Sequence, residues 1–324
     1  MTLWQASAGK LALQQRAQLL HLTRHFFNRR QVLEVATPVL GGAGVSDVHL
    51  ENLVVHGADR DYYLQTSPEY AMKRLLASGS GPIYQLGPVF RGSETGTRHN
   101  IEFTMLEWYR PGFGLDELMA EVCDLVLVSA RHFGGSPAAA VNVSYGQLFE
   151  RRFGINPHRV DLASLQALAQ AQGIAAEHIT DYGDEATVND YLDVLFSAAI
   201  EPNLLALTVV HGFPASQAAL ARLVVDAQGD QVAERAEVYW QGFELANGYA
   251  ELTDAAVLRA RLERNNVLRA RRSLRAVALD EKLLQAVAHL PHCAGVAMGF
   301  DRLLMLVTGR AAIAEVICFP AARL

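Results

Sequence analysis

The sequence predicts an α+β fold built on a largely antiparallel sheet. Strand and helix patterns are mixed along the chain without the regular βαβ alternation that a parallel sheet requires. A strand, a long polar loop and a second strand follow one another between residues 82 and 110. A hairpin pattern, AERAEVYWQ-G-FELANGYAEL, supplies two further antiparallel strands.

Residues 11 to 30 are expected to be helical, with Leu19, Leu22 and Phe26 at helical spacing. Gln31 to Leu40, QVLEVATPVL, reads as a short extended run stopped by Pro38. In TSPEYAMKRLLASG, Ser67 is the expected N-cap and Pro68 the first helical residue. Met72, Leu75 and Leu76 form the apolar face, and Gly79 ends the helix. Helical patterns follow at 115–132, 161–172 and 187–199, then a buried strand, ALTVVHG, at 206–212. Residues 254–273 form a helix with six arginines flanked by acids, read as a solvated face. The chain closes with AGVAMGFDRLLMLVTG: a strand, Gly299, and a helix that Gly309 stops.

A chain of 324 residues holds one large domain or two small ones, and no linker, low-complexity tract or internal repeat divides it. A net charge of -6 argues against strong nonspecific affinity for nucleic acid. Cys123, Cys293 and Cys318 are odd in number and widely spaced, which fits neither a disulfide framework nor a zinc site and points to a reducing, cytoplasmic location. With no 18-residue apolar run and no charged-then-apolar amino terminus, neither a membrane span nor a secretion signal is expected.

The chemistry is concentrated in FRGSETGTRHNIEFTMLEWYR, Phe90 to Arg110. Arg91, Glu94, Arg98, His99, Asn100 and Glu102 lie between two apolar runs. Guanidinium, imidazolium and amide donors match phosphate oxygens, so the loop suits a polyphosphate with a metal ion. On the second strand Phe103, Met105, Glu107 and Tyr109 share one face. They either stack a base and grip an amine, or form a mixed face with Phe103 and Met105 in the core and Glu107 and Tyr109 at its edge. In the hairpin, a two-residue turn at Gln241-Gly242 sets Tyr239 opposite Glu244 and Glu237 on its diagonal, roughly 7–8 Å away. Two carboxylates at that spacing either face solvent or share a cation such as nucleotide-bound Mg²⁺. Strict alternation sends Asn247 and Glu251 to the other face, so a common site requires a bulge or strand end near Ala246 to Gly248. Arg302, in the first turn of an apolar helix, opposes the helix dipole. A stacked nucleobase, or an ion pair with Asp301 or another acid, would account for it. A Walker loop and a dinucleotide glycine fingerprint are both absent.

In this order the segments resemble the catalytic domain of class II aminoacyl-tRNA synthetases. VLEVATPVL is similar to motif 1, which builds a dimer interface around a proline, here Pro38. FR…E…RHN-EFTMLEWY resembles motif 2, and G-F-DRLLML resembles motif 3. RHNIEFTMLEWY and ELANGYAELTD are closest to lysyl-tRNA synthetases, and the match covers residues 15 to 320. Two departures narrow it. About thirty residues precede motif 1, so the amino-terminal OB-fold anticodon domain is expected to be absent, leaving a single catalytic domain over 1–324. The motif 3 run reads G-V-A-M-G, with Ala297 where those synthetases carry glycine. With TSPEYAMKRLL, FTMLEWYRP and FPASQA, this resembles the stand-alone paralogue family that activates (R)-β-lysine with ATP and transfers it to a lysine of elongation factor P.

The resemblance implies ATP and Mg²⁺ as cofactors, a homodimer, elongation factor P rather than tRNA as acceptor, and no membrane partner. It places Arg91 on the α-phosphate and substrate carboxylate, with Arg302 as the second catalytic arginine. His99 and Asn100 contact ATP, Phe103 stacks on adenine beneath Arg302, and Gly299 lets the nucleotide approach; Gly92, Glu244 and Leu245 belong to the same set. The family's adenine-reading acid is displaced: Ser93 stands in its place and Glu94 follows. Glu237 and Glu244 bind Mg²⁺. Ser67, Pro68 and Glu69 meet the amino group near the carboxylate, Asn247 the carboxylate itself, Tyr109 and Glu251 the distal ammonium, and Ala297 narrows the pocket. The alternatives are a lysyl-synthetase-like enzyme acting on tRNA or another amine, and a non-catalytic regulatory relative.

Overall fold

The structure, a computed structural model, describes residues 4–324. In chain order the helices are α1 (Lys10–Asn28), α2 (Glu69–Ala77), α3 (Leu115–His132), α4 (Tyr145–Phe153), α5 (Leu162–Ala171), α6 (Glu185–Ala199), α7 (Ala255–Arg271), α8 (Glu281–Val287) and α9 (Phe300–Val307). The strands are β1 (Leu33–Glu34), β2 (Leu40–Gly41), β3 (Val54–His56), β4 (Asp61–Leu64), β5 (Ile83–Phe90), β6 (Glu102–Pro111) and β7 (Val141–Ser144), then β8 (Thr208–Pro214), β9 (Leu223–Val225), β10 (Gln231–Trp240), β11 (Phe243–Ala250) and β12 (Cys293–Gly299). The chain forms two compact units. One runs to Gly114 and resumes at Asp124–Ser136 and Leu252–Leu324; the other comprises Leu115–Cys123 and Pro137–Glu251. Among the described residues no helix is long and apolar enough to cross a membrane.

In the first unit β5 and β6 pair antiparallel from Ile83↔Tyr109 to Phe90↔Glu102, and the intervening residues form the polar loop. β12 joins the other edge of β6, antiparallel, with Ala297 opposite Glu107 and Gly299 opposite Met105. β1 adds to β5 in parallel, and β2, β4 and β3 form a small antiparallel sheet of their own. The expected extended run at 31–40 is thus two two-residue strands in different sheets, separated around Pro38. Phe27 of α1 stacks on Tyr84 at 4.4 Å between ring centroids and meets Trp108 edge-on at 5.3 Å, which fixes α1 to the sheet.

Helix α9 starts where β12 ends, and Asp301 anchors it. This carboxylate is 1% exposed. It accepts from the Arg16 guanidinium of α1 and from the Thr104 backbone N–H of β6, at 2.6 Å for the latter. Arg16 also donates to Thr104 Oγ1 at 2.6 Å. The acid beside Arg302 therefore ties three elements together.

In the second unit β10 pairs antiparallel with β11, β8 and β9, while β7 lies parallel to β8. Its core is aromatic. Tyr145 stacks on Phe149 and Phe196 and tilts against Phe213, and Phe196 leans on Tyr239. Helix α4, absent from the sequence reading, starts at a capping box in which Ser144 and Gln147 exchange side-chain and backbone bonds, and Gly154 ends it in the left-handed region. Asp161, Asp184, Asp254 and Asp280 cap α5, α6, α7 and α8.

Truncating Asp301 strands a partly buried guanidinium and a strand N–H. Asp301→Ala is expected to lower the unfolding free energy by about 3 kcal/mol in urea titration, with Asp301→Asn intermediate.

Candidate active site

The motif 2 loop is an ordered array of charge. Arg91 donates to Glu94 Oε1 at 2.9 Å and to the Thr66 carbonyl at 3.3 Å, and its guanidinium stands over the Phe103 ring at 5.2 Å. The other Glu94 oxygen lies 4.0 Å from His99 Nε2. Arg302 donates to that same Nε2 at 2.6 Å. Burial first, and then the Arg302 charge, hold the imidazole below its usual pKa, so His99 is neutral at pH 7 and accepts at Nε2. Asp301 is engaged with Arg16 and Thr104, and Arg302 reaches the loop at His99. Gly299 is the N-cap of α9, and an added Cβ there would touch Arg302 at 3.5 Å. Gly92 donates to the Glu51 carbonyl at 3.0 Å and has no room for a Cβ without displacing Glu51. Ser93 is exposed, whereas Glu94 is half-buried between Arg91 and His99. Asn100 is buried and turned to the backbone, donating to the Glu102 carbonyl at 2.6 Å and accepting from Ala321 N–H at 2.9 Å.

A second constellation lies on the same unit, one face along β6. Glu107 is 2% exposed. Ser67 Oγ and Tyr109 Oη each donate to its carboxyl at 2.7 Å. Glu107 and Tyr109 are therefore interior groups bonded to each other, not the edge of a mixed face. Ser67 Oγ accepts from the Glu69 N–H at 3.0 Å, although the helix begins one residue later than expected, with Pro68 as N-cap. Glu69 in turn accepts from Lys73 Nζ at 2.6 Å, one helical turn on. Ala297 sits across the β6–β12 pair from Glu107, and Gln85 across β5–β6. Burial, and secondarily the Glu69 charge, raise the Glu107 carboxyl to about 8, while the two hydroxyls and Lys73 pull it back.

The hairpin, in the other unit, resolves the question of faces. Gln241 and Gly242 have φ of 54° and 73°, a two-residue turn of the primed kind. Tyr239 stands opposite Glu244 as expected. The bulge lies one residue earlier than the sequence suggested, at Leu245, between the pairs Val238↔Ala246 and Tyr239↔Glu244. That extra residue brings Asn247 opposite Glu237 and puts Glu244, Asn247 and Glu251 on the face of Glu237. Leu245 is itself buried. Glu237 accepts from Arg235, from Tyr239 Oη and from Asn247 Nδ2, the last at 2.9 Å. Arg235 lies 4.5 Å over the Phe213 ring. Burial works against its charge, but the Glu237 carboxylate, with Tyr249 and Asp193, outweighs this and raises its pKa. Tyr239 is raised by burial and then by the charges of both Glu237 and Glu244. Asn247 Oδ1 is buried with no hydrogen-bond partner among the described residues, and Glu251 is buried at the end of the strand.

No group of three or more His, Cys, Asp or Glu among the described residues is arranged to hold a metal unaided. The hairpin offers two carboxylates around one phenol, and Glu237 keeps one of its roughly four acceptor positions. Hard oxygen ligands in that number fit an ion that arrives with phosphate oxygens.

Sequence reasoning missed Lys73, Arg235 and the bonded role of Glu107. Lys73 had a signal, the i,i+4 spacing from Glu69. Arg235, Glu237 and Tyr239 alternate on one strand face, a second readable signal.

The chain matches the family model described as tRNA synthetases class II (D, K and N) over residues 2–323. It is 43% identical to the elongation factor P–(R)-β-lysine ligase of Pseudoalteromonas translucida, covering all of this chain and 99% of that protein. It is 44% identical to the protein of the same name from Proteus mirabilis, covering 99% and 98%. The Salmonella paratyphi B protein of that name is 43% identical, again over 99% and 98%.

The raised Glu107 pKa has a signed consequence. An acid whose folded pKa exceeds its unfolded value stabilises fully below the unfolded pKa, near 4.5, and loses that contribution as pH rises through the folded value. The unfolding free energy should therefore fall between pH 5 and about 8. Urea titrations across that window should show Glu107→Gln flatter than the parent by about 2–4 kcal/mol.

Proposed function

The chain belongs to the class II tRNA synthetase family (D, K and N), and from that premise we propose that it is an ATP-dependent ligase. It activates (R)-β-lysine as an acyl adenylate and transfers it to a lysine side chain of elongation factor P. The full-length identity to ligases of that name supports the reading. The observation that carries it is the register of Ala297 against Glu107, which sets a methyl group beside a buried, hydroxyl-bonded carboxyl. We read that pairing as part of a site for a cationic amine, narrowed at one point.

We assign the residues as follows. Arg91 and Arg302 are the catalytic arginines. Arg91 serves the α-phosphate and the substrate carboxylate, exchanging Glu94 for them. Arg302, His99, Phe103, Gly92, Gly299 and Asn100 hold the nucleotide, with Ser93 and Glu94 flanking the base, and Leu245 adjoins the nucleotide through its backbone. Ser67, Pro68 and Glu69 receive the amine near the carboxylate. Tyr109 and Glu251 serve the distal ammonium, and Asn247 the carboxylate. Glu237 and Glu244 hold Mg²⁺, which supplies charge neutralisation to the phosphates when bound. Both compact units count as one catalytic domain, in the cytoplasm. The acceptor is the protein, not tRNA, and no membrane takes part. The enzyme is a homodimer through the motif 1 region, where Leu33 and Leu40 are exposed.

The reaction has two steps. The amino-acid carboxylate attacks the α-phosphorus in line, and pyrophosphate leaves. The acceptor's lysine amine then attacks the acyl carbonyl, an amide forms, and AMP leaves with the anhydride oxygen. The protein contributes position and preorganised charge: two guanidiniums near the phosphates and a neutral His99 that orients one of them.

ATP–pyrophosphate exchange with (R)-β-lysine and α-lysine, followed by transfer to elongation factor P or tRNA, tests the whole reading. Preference for β-lysine with label on the protein is expected; label on tRNA overturns it. Ala297→Gly, which removes the methyl beside Glu107, should shift preference toward α-lysine by about tenfold or more.

A further inference from the structure

Of the chain's 28 lysines and arginines only Lys10, Lys73 and Lys282 are lysines. Lys10 and Lys282 are exposed. Lys73 is the exception, with its side chain only 3% exposed. A chain that meets almost every other need for positive charge with arginine keeps lysine at a cationic position inside the amine pocket. The geometry supplies a reason. Lys73 Nζ donates to Glu69 Oε1 at 2.6 Å from one helical turn away. A compact ammonium suits that contact, whereas a planar guanidinium with five donors in a fixed fork would need more acceptors and more room. The same ammonium acts on Glu107, the second carboxyl of the pocket.

We propose that Lys73 is a positioning residue for amine recognition: it fixes the rotamer of the Glu69 carboxylate through Oε1 and leaves Oε2 directed to the substrate's ammonium. The inference rests on the assignment of Glu69 to that amine. Without Lys73, Glu69 and Glu107 are two acids in one interior with their fixed counter-charge removed. Glu69 then loses the contact that fixes its rotamer, and the aim of its carboxylate at the ammonium is lost. A cation so close to a cation-binding carboxylate opposes the substrate by direct repulsion. The benefit is that the carboxylate is already aimed when the substrate arrives.

The test is steady-state pyrophosphate exchange with Lys73→Met, Glu69→Gln and the double variant, with thermal midpoints recorded for each. Lys73→Met should raise the amino-acid KM about tenfold or more, the equivalent of about 1.4 kcal/mol, with the ATP KM unchanged. Because Lys73 acts through Glu69, the double variant should be no worse than Glu69→Gln alone. Equal rises in both KM values, a lowered midpoint with an unchanged amino-acid KM, or additive effects in the double variant would overturn the proposal and leave Lys73 a structural ion pair. An unchanged amino-acid KM in Glu69→Gln would instead remove the amine-pocket assignment itself. Should Lys73→Met fail to fold, the double variant, which carries no unbalanced Glu69 charge, is compared with Glu69→Gln. An equal KM supports the inference and a further rise overturns it.

Discussion

A carboxylate taken out of water costs several kcal/mol unless donors replace the lost hydration, and the interior of this chain is organised around answering that cost. Asp301 is met by a guanidinium from α1 and a backbone N–H from β6, and by meeting them it fixes the start of α9. Glu237 is met by Arg235, Tyr239 and Asn247. Glu107 is met differently, by two hydroxyls and a tightly held proton. These three answers have different consequences. A carboxylate fully paired with arginine is an anchor. One that keeps a spare acceptor position can share a cation. One held by neutral donors stays responsive to charge and can ionise when an ammonium approaches.

The loop of motif 2 shows the complementary situation. Under the proposed function Arg91 and Arg302 serve phosphate, and each rests on an internal partner, Glu94 and His99 respectively. Such partners keep the guanidiniums extended and ordered in the free protein. An incoming polyphosphate with its larger negative charge outcompetes a single carboxylate or a neutral imidazole, so the resting contacts are replaced rather than broken into water.

Much of this was legible in the sequence because it rests on periodicity and turn chemistry. The strands about the polar loop, the hairpin with its Gln241-Gly242 turn, α9 after Gly299 and the apolar face of α2 follow from local patterns alone. The bulge was legible as a necessity but not as a position, since glycine pointed to Gly248 and the extra residue is Leu245, a buried leucine with no local signature. Glu107 and Tyr109 were ambiguous because alternation tells which residues share a face but not how deep that face lies. The partner of Arg302 was unreadable for a related reason. Asp301 is its sequence neighbour, yet the competing Arg16 comes from 285 residues away. Helix α4 was missed although its Ser144–Gln147 box could have been read.

The Leu245 bulge also bears on how this region can change over evolutionary time. Side chains in a strand alternate strictly, so one residue gained or lost between Tyr239 and Glu251 exchanges the faces of every position beyond it. Losing the bulge would turn Asn247 away from Glu237 and carry Glu251 with it. Substitutions here can be sampled one at a time, whereas a single-codon insertion or deletion rewrites half the strand at once. The hairpin is thus open to drift in composition but closed to drift in length. Any relative that altered its length would have to restore parity with a second, compensating change in the same strand.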